Sequence, residues 1–291
     1  MKKKSHRSAL VVEGGGMRGI FSAGVLHAFG EAGFDPFDLY IGVSAGACNL
    51  ASHLAGQNDR NFDINTRYSS TPNFISAWRF FRGGHYMDLD WLWEVTIREY
   101  RLDLNTLFNK LKKQKKEFIV VATSVETGKA LYLEPDKDTL EYYLKVSSSL
   151  PILYRDILEI QSEKATDGGM ADPIPVIEAY RRGATDITVI RSRPSDYVKK
   201  RSGLSFAFSR FFRKHPRLAE AFNNRPVRYM KAVNFIADPP KGVRINEIAP
   251  PHEIEVGRTT RDLGLLQAAY RTGVEYGRQF IEHYKGSRRR R

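Results

Sequence analysis

A chain of 291 residues can bury one large core or two modest ones, and its 42% hydrophobic and 27% charged residues exclude an overall disordered polymer. The net charge of +13 favours polyanionic partners, either nucleic acid or the anionic face of a membrane, without choosing between them. A lone cysteine, Cys48, excludes an internal disulfide.

The start, Met1-Lys2-Lys3-Lys4, is basic, but the apolar run Ala9–Val12 breaks off at Glu13, too short for a secretory signal core. No stretch approaches the roughly 18 apolar residues of a spanning helix. The expectation is a cytoplasmic protein with membrane contact only at its surface. Ala9–Val12 predicts a strand ending at Gly14-Gly15-Gly16, and Met17 to Ala32 has helical spacing closed by Gly33. Leu39-Tyr40-Ile41 predicts a second strand, followed by Gly42-Val43-Ser44-Ala45-Gly46 and a helix towards Leu54. Strand, glycine turn and helix, twice over, predicts an α/β fold of three layers, α/β/α, with a mostly parallel central sheet.

Between Gln57 and Lys116 a mixed aromatic and charged pattern predicts an insertion of helices and loops. Further strands are expected at Phe118–Val125, Ala130–Leu133 and Ile187–Ile190, with Glu126-Thr127-Gly128-Lys129 as a hairpin turn between the first two. Helices are expected at Pro175–Arg182 and Leu263–His283. No repeat occurs, so residues 1–285 are expected to form one domain, with 286–291 a basic disordered tail.

Three motifs carry chemistry. In Gly14-Gly15-Gly16-Met17-Arg18-Gly19 a glycine turn opens a helix, whose first N–H groups face any anion placed there. As Gly-x-Gly-x-x-Gly it could cradle a dinucleotide pyrophosphate, which also wants an acid ending the second strand, where Ile41-Gly42-Val43-Ser44 has none. As an oxyanion hole it would meet the charge that develops in acyl transfer, and a purely structural turn is the third reading. Gly42-Val43-Ser44-Ala45-Gly46 fits a serine on a sharp strand-to-helix turn, whose flanking glycines allow the tight bend, although a capped glycine turn would look the same. Asp167-Gly168-Gly169 alone reads as a turn.

Together, in this order, the three motifs resemble the patatin-like phospholipase family, and a small bacterial cytoplasmic branch of it is the nearest fit. Ser147-Ser148-Ser149-Leu150 before Pro151 is similar to a further block of that family. The resemblance covers Leu10 to about Gly56 and Val146 to Val176; the insertion and the C-terminal third match no motif. It implies a patatin-like fold and a Ser–Asp dyad that cleaves carboxylic esters of phospholipids or lysophospholipids without cofactor or metal. Ser44 would attack and Asp167 accept its proton. The Gly15 and Gly16 N–H groups would hold the oxyanion, with Gly14, Arg18 and Gly19 in the same loop. An unperturbed Asp, with a pKa of about 3.9, is a weak base, so Asp167 is expected to be partly desolvated.

Of the histidines, His6, His27, His53, His85, His215, His252 and His283, none has a catalytic or metal-binding context, and His252, in Pro250-Pro251-His252, stays as a loop candidate for a triad. Cys48, one turn past Ser44, is expected to be a small buried hydrophobe. Asp88 and Asp90 lack companion metal ligands at suitable spacing. Leu204–Leu218, preceded by Lys199-Lys200-Arg201, is basic and aromatic; as a helix it could lie in a lipid interface or turn its phenylalanines into the core. The partners expected are an acyl lipid substrate and an anionic membrane surface. Nucleic acid is disfavoured by scattered basic residues, and oligomeric state is not legible. The competing function is a non-catalytic or nucleotide-binding regulator on the same fold.

Overall fold

The computed structural model describes residues 7–200, 203 and 205–289. One eight-stranded sheet organises it: β1 (Arg7–Val12), β2 (Leu39–Val43), β3 (Glu117–Ser124), β4 (Ala130–Leu133), β5 (Leu158–Ile160), β6 (Glu163–Asp167), β7 (Ala184–Ile190) and β8 (Arg244–Ile248). The order is β5-β6-β3-β2-β1-β7-β8, with β4 also paired to β3. The run β3-β2-β1-β7-β8 is parallel, while β4, β6 and β5 add antiparallel pairs at one edge.

The central strands are buried on both faces, and alternate residues serve opposite layers. Leu10, Val12, Tyr40 and Val120 pack with Phe21, Leu50 and Leu144 from the helices Gly19–Glu31, Ala45–Leu54 and Leu140–Ser148. Val11, Ile41, Val43 and Val121 pack with Ala179 and Tyr229 from the helices Val176–Arg181 and Pro216–Ala237. This period-two division is the physical basis of the three layers. The helix Leu263–Arg289 closes the first layer, and Ile281 and Tyr284 join its core. It continues through 286–289, four residues expected in the disordered tail, because the helical register of 263–283 runs on unbroken; Arg290 and Arg291 lie outside the described residues, as do Met1–His6, Arg201 and Leu204.

Residues 57–116 fold as short helices: Arg60–Ile64, a π-helical turn at Asn65–Ser69, Ala77–Phe81, Leu89–Glu99 and Leu104–Gln114. Asp88 caps Leu89–Glu99 through the Trp91 N–H at 3.1 Å. Their apolar side chains, Ile64, Phe74, Met87, Leu89 and Leu92 among them, form a cluster with Met17 and Ile20 over one end of the sheet. The strands β5, β6 and β8 and the helices Leu140–Ser148 and Pro216–Ala237 had no sequence signal. These three strands mix charged and apolar residues, and Pro226 interrupts the pattern of Pro216–Ala237.

Candidate functional site

The strand order reverses at β1: the chain builds β2 and β3 to one side of it and β7 and β8 to the other. In open α/β sheets the crevice beyond the carboxyl ends of the strands at such a reversal is where ligands bind. The glycine loop leaves β1 there, the serine turn leaves β2, and Ser192 at the end of β7 donates to the Gly14 carbonyl at 3.1 Å.

Ser44 stands between β2 and the helix Ala45–Leu54 with φ 54° and ψ −129°, a conformation strained for any side chain larger than glycine's. The bend is possible because glycines stand two residues to either side of it, at 42 and 46. A Cβ on Gly42 would sit 2.5 Å from the Ala47 Cα, and one on Gly46 2.5 Å from the Val12 carbonyl oxygen. The Ser44 N–H donates to Ser147 Oγ at 2.8 Å, whose hydroxyl donates to the Val121 carbonyl at 2.6 Å. The turn is thereby pinned to β3.

The sheet register brings Asp167 to Ser44. Val43 pairs with Val121 across β2 and β3, and Ala122 pairs with Asp167 across β3 and β6. Asp167 is 4% exposed, and its Oδ1 accepts the Gly169 N–H at 2.8 Å. Its backbone is held by Thr123, whose hydroxyl donates to the Asp167 carbonyl at 2.8 Å. Ser44, 8% exposed, lines the same compartment as Asp167, and its hydroxyl lies near enough to lower the pKa of the Asp167 carboxyl. Burial pushes this carboxyl above the ordinary aspartate range; opposing but smaller effects come from Arg225, the Ser44 and Gly169 hydrogen bonds and Arg258.

On the other side of Ser44, Gly16 takes φ +58°, a left-handed turn at which a side chain would also collide with the Arg258 carbonyl at 2.7 Å. The Met17 N–H is taken by that carbonyl at 3.0 Å, while among the described residues no protein acceptor meets the Gly15 or Gly16 N–H. Arg18 points inward, 8% exposed, and its Nε has no acceptor. Gly19 abuts Ala45, and Gly168 abuts the Val121 carbonyl, so both glycines keep their loops close to the serine turn.

Two compartments meet at Ser44 and share Gly16, Met87 and Ser148. One is an apolar hollow of about 860 Å³, solvent at its mouth included, walled by Leu89, Leu92, Trp93 and Leu144. The other, about 420 Å³, holds Asp167, Gly14, Gly15 and Gly169 together with Arg225 and Arg258. These two arginines, and the apolar wall supplied by 57–116, were missed in the sequence.

No described histidine lines either compartment. His53 is buried and unpartnered, with its pKa pushed down to about 4 by burial, and His252 pairs with Asp196 at the surface. Cys48 lies half-buried in the wall of the apolar hollow, and burial raises its thiol pKa, which keeps it protonated and unreactive. Asp90 does gain neighbours that its sequence context did not offer. His85 and Asp156 bring ligand atoms within 4.8 Å of one another, but the Asp90 carboxylate is engaged by Lys145 Nζ at 2.5 Å and Tyr154. In 205–211 the basic aromatic stretch is helical. Phe208 and Phe212 are buried and Phe208 stacks on Phe222, while Phe211 is 62% exposed, so the core-facing reading fits two of the three.

Comparison with known proteins gives a family model, patatin-like phospholipase, over residues 10–180, and a second model, described only as a domain of unknown function, over 215–287. An uncharacterized Escherichia coli protein, YjjU, is 35% identical over 287 residues, which is 94% of this chain and 77% of that protein. Lysophospholipase NTE1 of Kluyveromyces lactis is 26% identical over 291 residues, 94% of this chain but 19% of that much longer protein. Among solved structures, VipD from Legionella pneumophila aligns with a TM-score of 0.46 at 14% identity, covering 96% of this chain and 67% of that one.

Proposed function

The chain belongs to the patatin-like phospholipase family, and from that premise we propose that it is a serine acyl hydrolase cleaving carboxylic esters of phospholipids or lysophospholipids. The observation that carries this reading is that Ser44, on a strained turn, and the buried Asp167 face one compartment at the point where it meets the apolar hollow. The acyl chain occupies the apolar hollow, which places the ester carbon at Ser44.

Ser44 Oγ attacks the carbonyl carbon as its proton passes to Asp167. The carbonyl oxygen becomes an oxyanion beside the Gly15 and Gly16 N–H groups, and collapse expels the alcohol, which takes the proton back from Asp167. Water then repeats the sequence on the acyl-serine, with Asp167 again as base. The raised pKa of Asp167 suits it to this role, since a carboxylate nearer neutrality accepts a proton more readily. The scheme needs no metal or cofactor. Work in the cytoplasm at an anionic membrane surface fits the +13 charge and a single cysteine.

The test is hydrolysis of a short-chain nitrophenyl ester and of a lysophospholipid by the wild type, Ser44→Ala and Asp167→Asn. Both variants are expected to lose activity by about 10³-fold or more while remaining folded. Undiminished turnover in Ser44→Ala would remove the proposal, and a folded wild type inert towards every ester would favour the regulatory alternative.

A further inference from the structure

The compartment on the Asp167 side of Ser44 carries arginines that form no ion pair among the described residues. Arg225 and Arg258 are in its wall, and Arg18 and Lys199 act electrostatically on them and on one another. Arg193 adds a fifth positive charge, felt by both Arg18 and Arg258. The placement is specific: Nη2 of Arg225 lies 3.4 Å from where a Gly169 Cβ would be, and Arg258 lies against Gly16. Buried arginines elsewhere in the chain are satisfied. Arg191 is held by Glu13 at 3.3 Å, Glu247 and the Tyr229 hydroxyl, and Arg60 by the Tyr100 carbonyl and Ser52.

Arg193 lies over the Tyr197 ring at 4.7 Å and Lys199 over the Tyr229 ring at 4.9 Å, but no ion pair holds this group. Among the described residues no carboxylate comes within 4.0 Å of the side-chain nitrogens of Arg18, Arg193, Lys199, Arg225 or Arg258, and the buried Nε atoms of Arg18 and Arg225 have no acceptor. The acids that reach Arg225 across space are Asp167 and Glu13, and Glu13 is already claimed by Arg191 and the Ser192 N–H. Burial and mutual repulsion hold Arg258 down to about 9 and Lys199 to about 7. Two arginines in the wall of a polar hollow, with three more basic side chains close enough to act on them and no ion pair to any of the five among the described residues, present the donors an anion would need.

We propose that Arg18, Arg225 and Arg258, backed by Arg193 and Lys199, bind the phosphate of the lipid substrate on the side of Ser44 opposite the acyl hollow. This rests on the hydrolase reading and deepens it: the enzyme selects phosphate-bearing acyl esters over neutral acylglycerols. It also gives work to the segment 215–287, matched only by a model of unknown function, since that segment supplies Arg225 and Arg258. The apolar wall, by contrast, comes from residues inside the patatin match. The ester bond of a glycerophospholipid lies a few bonds from its phosphate, which is the relation of Ser44 to this compartment.

The experiment compares kcat/KM for a lysophospholipid and for the monoacylglycerol of the same acyl chain, in the wild type, Arg225→Gln and Arg258→Gln. The ratio between the two substrates is expected to fall tenfold or more in each variant; any general effect on Asp167 divides out of that ratio. Calorimetric titration of Ser44→Ala with both lipids and with inorganic phosphate supplies a readout free of turnover. The lysophospholipid is expected to bind at least tenfold more tightly than the monoacylglycerol, with the difference lost when Arg258→Gln is added. A Gln variant that fails to fold is replaced by Arg258→Lys, which keeps the charge and is expected to retain part of the difference. An unchanged ratio in both Gln variants, or equal binding of the two lipids, overturns the proposal. Inorganic phosphate binding as tightly as the lysophospholipid overturns it in favour of a free-phosphate site. Hydrolysis of no ester, with the binding difference intact, refutes the hydrolase reading and leaves the phosphate site standing.

Discussion

Asp167 is kept where a carboxylate is least comfortable, and the cost has a definite sign with pH. Its folded-state pKa lies above the unfolded value, so the folded chain binds the proton more tightly and stability falls as pH rises from about 3.9 through the folded pKa. Asp167→Asn is therefore expected to melt higher than the wild type at pH 7, with the gap closing as pH falls towards 4; calorimetry at both pH values checks it. For the same reason the acid limb of kcat/KM is expected above the usual carboxylate range, with activity rising as Asp167 ionises. Ser147 is a second single-residue test. It joins the Ser44 N–H to the Val121 carbonyl, and Ser147→Ala strands both groups in the interior, at a cost of about 1–3 kcal/mol in urea denaturation. Because it holds the turn and not the substrate, kcat should fall more than KM rises. Glycines and serine at the site were legible in the sequence because a strained bend accepts few residue types. Arg225 and Arg258 were not, since two arginines among 46 basic residues have no local signature and only the tertiary fold brings them to Gly169 and Gly16.

At the scale of elements, legibility followed burial. β1, β2, β3 and β7 are apolar runs bounded by turns and could be read to within a few residues. β6, Glu163-Lys164-Ala165-Thr166-Asp167, has no apolar run at all, yet its pairing with β3 delivers Asp167 to Ser44; its strand character comes from the partner it finds. The helix Ser205–Phe211 shows the converse, a composition that suggested lipid and a fold that turns Phe208 inward. Phe208→Ala is accordingly expected to cost about 3–5 kcal/mol of stability. Phe211→Ser, on the exposed side, should stay within about 0.5 kcal/mol, which denaturant titration of the pair would settle.

Across the whole molecule, the sheet separates duties: one edge is antiparallel and carries Asp167, while the parallel centre carries the glycine loop and Ser44 at adjacent strand ends. The charge of +13 belongs to this scale too, since a surface this basic would draw the chain to an anionic interface before any site is engaged. Raising salt from about 0.1 M to about 1 M shortens the Debye length from about 10 Å to about 3 Å. Turnover of lipid in anionic vesicles is expected to drop over that range, and turnover of a monomeric uncharged ester should change far less. Equal salt sensitivity of the two would remove the interfacial contribution.

The wide turn at Asn65–Ser69, where the backbone bonds reach one residue further than in an α-helix, borders the apolar hollow with both of its end residues. Such a turn is what one surplus residue in a helix produces. Deleting a single position there would return the segment to ordinary pitch and leave the residues on either side nearly in register, since the wide turn is what absorbs the surplus residue. In the proposed hydrolase the depth of the apolar hollow would then be adjustable by a one-residue deletion at this part of its wall.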